Sequence, residues 1–163
     1  MKDTRYTVEH VQLTSDKRFD EVTQAFELQL GKYEVDVRNR SLAAGGNTEE
    51  AKAKIAAMAG SSGFMLFNAI DHGALLGLAG QKHRAIQYVV GNPLFALQMT
   101  QHDVRASLYA PLRVLIYENK AGKTCLEYDK PTSQFGQFGN AEITAVAVML
   151  DNKLEALALS AIQ

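Results

Sequence analysis

Leu112-Arg113-Val114-Leu115-Ile116-Tyr117-Glu118-Asn119-Lys120-Ala121-Gly122-Lys123-Thr124-Cys125-Leu126-Glu127-Tyr128-Asp129 is the stretch that decides the fold class. Pro111 introduces a β-rich run over Leu112–Tyr117, and a second run returns over Thr124–Asp129. Asn119-Lys120-Ala121-Gly122 between them is a hairpin turn, with Gly122 suited to the left-handed position of a short loop. Two strands so joined are antiparallel.

Upstream of the hairpin, Phe64–Ile70 is apolar on both alternating faces except at Asn68, which predicts a central strand covered on both sides. It ends in Asp71-His72. Gly73–Gly80 is small and apolar, and reads as a short helix or a tight loop. Ala85–Val90 is a further strand. Gly91-Asn92-Pro93 then starts a helix: Asn92 can cap, Pro93 fits the first helical position, and Gly91 permits unusual backbone angles. Leu94 and Leu97 are expected on its buried face. Downstream, Thr132–Asn140 reads as a Gly/Gln/Phe loop. A long helix from about Ala141 to Ser160 carries one apolar stripe: Ile143, Val146, Leu150, Leu154, Leu157 and Ala161.

Nearer the N-terminus, Tyr6–Leu13 predicts a bulged strand, because its period of two breaks between Val8 and Val11. Thr14-Ser15-Asp16 offers capping oxygens for a helix whose face is Phe19, Val22, Phe26 and Leu30, with Gly31 as its terminator. Lys32–Gly46 reads equally as loop or short strand, ended by Gly45-Gly46. Asn47 and Glu50 form a capping-box-like start to an Ala-rich helix that Gly60 stops. The expected fold is α+β: a curved, mainly antiparallel sheet with helices packed on one side. Residues 1–163 are expected to form one domain, with an insertion at about 32–60.

Composition excludes several classes. The apolar fraction is 47% and the charged fraction 21%, within and slightly below the globular range. A formal net charge of −1 argues against a nucleic-acid partner, which would need a clustered basic surface. No stretch reaches the apolar length needed to span a bilayer, so no membrane partner is expected. Met1-Lys2-Asp3-Thr4-Arg5 has no apolar run behind it, which predicts a cytoplasmic protein without a signal peptide. A single cysteine, Cys125, excludes an internal disulfide and is expected as a buried thiol in a strand. His10, His72, His83 and His102 lack metal-ligand spacing, so neither metal nor cofactor is expected. No glycine-rich strand–helix fingerprint for a nucleotide is present.

Four ordered motifs resemble a known pattern, the domain of unknown function 302 family. Phe67-Asn68-Ala69-Ile70-Asp71-His72-Gly73-Ala74 is similar to its strand ending in Ile-Asp-His. Val89-Val90-Gly91-Asn92-Pro93 is similar to its strand-to-helix junction. Ala110-Pro111-Leu112-Arg113-Val114-Leu115-Ile116-Tyr117-Glu118 and Leu126-Glu127-Tyr128-Asp129-Lys130-Pro131 are similar to two further strands. The chain departs from the family at His83-Arg84-Ala85, where an Arg-Pro pair is usual, and at Leu94-Phe95-Ala96, where Gly-Thr-Pro is common. The resemblance implies the curved sheet with helices on one side and a homodimer, and it implies no assigned activity.

Three polar strand ends are candidates for chemistry. Asp71 and His72 could serve as acid and base near neutral pH, with Tyr128 as a further acid; the bland alternative is that Asp71 caps the following turn and His72 bonds a carbonyl. Gly91, Asn92 and Asp129 are candidate ligand contacts, with helix capping the competing role for Asn92. All three ends are expected to converge on one rim of the sheet, where polar groups are cheap to place. The leading functional expectation is a protein that binds a small apolar or mixed-polarity molecule. The alternatives are a cofactor-independent acid/base isomerase or lyase using Asp71 and His72, and a dimeric structural or regulatory module.

Overall fold

The computed structural model describes residues 5–43 and 47–163. The Gly45-Gly46 stop and the Met1–Thr4 segment lie outside the described residues. Six strands form one sheet: β1 (His10–Ser15), β2 (Gly31–Lys32), β3 (Met65–Asp71), β4 (Ala85–Gly91), β5 (Leu112–Glu118) and β6 (Thr124–Asp129), in the order β1-β6-β5-β4-β3-β2. Every pairing is antiparallel except the two-residue parallel contact of β2 with β3. The β5–β6 hairpin turns where the sequence places it, with Gly122 at φ +74° and its N–H donating to the Asn119 carbonyl. The fold class is the α+β arrangement expected.

Seven helices are described: α1 (Phe19–Glu27), α2 (Val35–Ala43), α3 (Thr48–Ala56), α4 (His72–Leu76), α5 (Pro93–Thr100), α6 (Pro131–Phe135) and α7 (Ala141–Ile162). The core lies against one sheet face. Tyr88 and Val90 of β4, Val114 and Ile116 of β5, and Leu126 and Tyr128 of β6 point into it. There they meet Phe19, Val22 and Phe26 of α1 and the expected α7 stripe from Ile143 to Ala161. The Tyr88 hydroxyl donates to Glu27 Oε1 at 2.6 Å, pinning α1 to the sheet centre. On the opposite face, His10, Gln12, Thr14 and Arg113 are exposed, while Val89, Leu115 and Tyr117 are half-buried.

Several local expectations are corrected. β1 begins at His10 and runs through Thr14 and Ser15, so those residues do not cap α1. Instead Arg18 precedes the helix, and its backbone N–H donates to the Glu21 carboxylate at 2.8 Å. β3 is not central: only the short β2 lies outside it, and Asn68 and Ala69 are exposed. Its all-apolar reading arose because the register shifts between Leu66 and Asn68, which removes Phe67 from the alternation. Residues 33–43 are neither loop nor strand beyond Lys32, but chiefly α2. No α2 residue is buried, so no periodic apolar signal marked it. The Thr132–Asn140 loop is largely helical. Pro131 opens α6, whose Thr132 N–H and hydroxyl both donate to the Asp151 carboxylate of α7, at 2.9 and 2.5 Å.

Candidate ligand pocket

The Gly91-Asn92-Pro93 junction is where sheet, α5 and the β5 entry meet. Asn92 is buried (8% exposed), and both its amide oxygen and its amide nitrogen are hydrogen-bonded. Its Oδ1 accepts from Leu94 N–H at 2.9 Å, capping α5, and its Nδ2 donates to the Gly63 carbonyl at 2.9 Å. Gly91 sits in tight quarters rather than at unusual backbone angles. A Cβ there would stand 3.3 Å from both the Phe67 ring and Pro111.

Beside this junction lies a pocket of about 190 Å³. Phe64, Met99, Phe135 and Leu150 are buried around it, whereas Phe67 and Phe95 are half-buried. Tyr33 closes one side, its ring centroid 4.2 Å from that of Phe67. Arg38 of α2 also lines the pocket, its guanidinium carbon 5.8 Å from the Tyr33 centroid. α5 contributes Phe95, Ala96 and Met99, while Leu97, expected inside, is 46% exposed. The helix is rotated from the sequence reading because its apolar residues occupy several faces and give no single stripe.

Three larger recesses have mixed polar and apolar linings, one of them about 620 Å³ around His83, Glu118 and Lys120. Another, of about 480 Å³, includes Arg113, Asp129 and Gln134. A third, of about 700 Å³, includes Asp71 together with Asp20, Arg84 and Glu118. In it Arg84 is already paired with Asp20 and lies 3.9 Å from Glu118.

The expected convergence of three strand ends fails on register. Asp71 pairs with Ile86 at the start of β4, whereas Met65 pairs with Gly91 at its end. Ile86 and Gly91 are five residues apart on an extended strand, or about 16 Å. Asp71 and His72 therefore sit at one rim, and Gly91 and Asn92 at the other. Asp71 caps α4, its Oδ1 accepting from Ala74 N–H at 2.8 Å. His72 is half-buried and lines none of these recesses. Tyr128, two strands from Gly91 by register, is 6% exposed and points into the core. Burial raises its hydroxyl pKa, as do the Glu155 and Asp151 carboxylates. Asp129, next in the strand, points to the opposite face and accepts from His10 Nδ1 at 3.0 Å. His72, Asp71 and Tyr128 thus form no common catalytic cluster, because sequence adjacency at a strand end does not fix which face or rim a side chain reaches.

Sequence reasoning missed a network on the outer sheet face. His10 lies between Asp129 and Glu127, with Nε2 3.1 Å from Glu127 Oε2. Glu127 Oε1 also accepts from the Tyr117 hydroxyl at 2.6 Å and Gln12 Nε2 at 2.5 Å. Hydrogen bonding to Asp129 raises the His10 pKa, burial opposes this, and Glu127 adds to the rise. Burial works against the Glu127 carboxylate, but its three donors outweigh that and hold its pKa below the usual value. Tyr117 is pushed up to about 12, chiefly by Glu127. The alternation of polar residues along β1 and β6 was the available signal. No group of His, Cys, Asp and Glu among the described residues could hold a metal ion. Cys125 is a buried free thiol, as expected.

The molecule is thus an α+β protein with an open, mainly antiparallel sheet, helices on one face and an aromatic pocket at one rim. The family model "Domain of unknown function DUF302" matches residues 40–161, and the chain belongs to that family. The crystal structure of an uncharacterized conserved DUF302 protein from Bacillus stearothermophilus superposes with a TM-score of 0.65 at 16% identity, covering 93% of this chain and 97% of that one, a likeness of fold. Comparison with curated proteins finds no significant match. No helix among the described residues is long and apolar enough to cross a membrane.

Proposed function

We propose that this chain binds a small, largely apolar molecule in the pocket between Phe64, Phe95 and Phe135. The observation that carries the reading is the pocket itself, about 190 Å³ beside buried aromatic side chains. An apolar cavity of about 150 Å³ is enough to hold benzene. The size suits a single ring or a short branched chain, and burying that much apolar surface drives binding. The larger recesses are weaker candidates, since charged and polar side chains interrupt their apolar linings.

The test is titration of the full chain with toluene and benzyl alcohol, followed by backbone amide NMR. Saturable shifts at residues around Phe95 and Met99, with a rise in melting temperature, are expected. Ala96→Phe should fill the space and remove the shifts while the fold persists. If no ring-sized probe perturbs these residues, the reading is wrong.

A second reading, pairing with another copy of this chain, would use the outer sheet face, where Val89 and Leu115 remain partly exposed among polar side chains. Sedimentation giving only monomer at micromolar concentration would count against it.

A further inference from the structure

We propose that the pocket's ligand is a small organic carboxylate on an aromatic or branched apolar body. This deepens the pocket reading above and rests on it. The argument is from charge. No aspartate or glutamate lines the pocket, and Arg38 is its one charged lining residue among those described. Arg38 makes no ion pair among the described residues. Its Nε and Nη2 both donate to Asn39 Oδ1, at 3.0 and 2.7 Å, a neutral acceptor, and Nη1 has no hydrogen bond there.

A second cation stands nearby. Lys153 Nζ lies 5.7 Å from the centroid of Phe95 and donates a long hydrogen bond, 3.5 Å, to the Ser62 carbonyl. It has no carboxylate partner among the described residues either. Cations with an acidic neighbour are tied up by it, as Arg105 is by Asp103, Lys123 by Asp16 and Lys130 by Glu9; these two are not. Two cations without ion pairs among the described residues, each set over a pocket-lining ring, bias the site toward an anion. Low-dielectric aromatic walls strengthen that bias.

A carboxylate is the anion that suits this geometry. A guanidinium offers parallel N–H donors that match its two oxygens. The pocket volume beyond one ring leaves room for that head group and not for a bulky polyanion. The rings take the apolar body, and an ammonium ligand would meet like charge.

The experiment measures dissociation constants for phenylacetate, benzyl alcohol and benzylamine with the full chain, by NMR titration at low and high salt. Phenylacetate is expected to bind about ten- to a hundredfold tighter than benzyl alcohol, as a charge-assisted hydrogen bond provides. Added salt should narrow that gap, and benzylamine should bind weakest. Arg38→Gln should remove most of the preference and leave benzyl alcohol unchanged; Lys153→Gln should remove a smaller part. Benzyl alcohol binding as tightly as phenylacetate, or Arg38→Gln weakening both alike, overturns the carboxylate assignment while leaving the pocket reading intact. Binding of neither probe overturns both.

Discussion

At the residue scale, the His10 network shows what a side chain gains from its neighbours. Both imidazole nitrogens contact carboxylates, so the protonated form is favoured and its pKa is raised, first by Asp129. A raised folded-state pKa contributes stability that is complete below the unfolded value of about 6.5 and is lost as pH rises through the folded value. The wild type should therefore exceed His10→Gln in stability more at about pH 5.5 than at about pH 9. The side chain is 53% exposed, so solvent screening limits the difference to under about 1 kcal/mol. Urea denaturation at both pH values checks it, and parallel pH profiles for the two proteins would refute it. Asp71 makes the complementary point. A residue singled out for chemistry serves as a helix cap, a role its position before Gly73 and Ala74 allowed from the start.

At the element scale, two glycines explain how the α2–α3 segment is tied to the sheet. Gly31 and Gly60 cross at backbone contact. A Cβ on Gly60 would fall 2.3 Å from the Gln29 carbonyl oxygen, and one on Gly31 1.8 Å from that of Met58. Both N–H groups donate to the Phe64 carbonyl, at 2.9 and 3.0 Å. The sequence reading treats both glycines as helix terminators, and the stronger reason is this long-range approach. Gly60→Ala should destabilise the protein by about 1–3 kcal/mol, toward the upper end because backbone rather than a flexible side chain must move. Chemical denaturation measures this, and a loss below about 0.5 kcal/mol would show that the crossing relaxes freely.

At the scale of the whole molecule, α7 joins the parts. Its 22 residues span about 33 Å and pack on α1, α5 and α6. Leu154, 1% exposed, lies on its buried stripe. Leu154→Ala should cost about 2–5 kcal/mol through lost burial and the cavity left behind. Because the helix touches every layer of the core, unfolding should remain a single transition. Circular dichroism and tyrosine fluorescence, usable because the chain lacks tryptophan, should give coincident curves. A sheet that outlasts the helix signal would contradict this.

The β5–β6 hairpin, β4, the Asn92-Pro93 helix start and the α7 stripe were legible in the sequence because each is set by contacts within a few residues or by one clean period. Family membership was legible for the same reason, through four short motifs that keep their order. The pocket was not legible. Tyr33, Arg38, Phe67, Phe95 and Phe135 come from five separate elements or their edges, and no local pattern links them. Nor could strand composition say that Asp71 and Asn92 lie at opposite rims, or that Tyr128 faces the core while Asp129 faces away. Those placements follow from antiparallel register and from the alternation of side chains across the sheet, which only the assembled strands define.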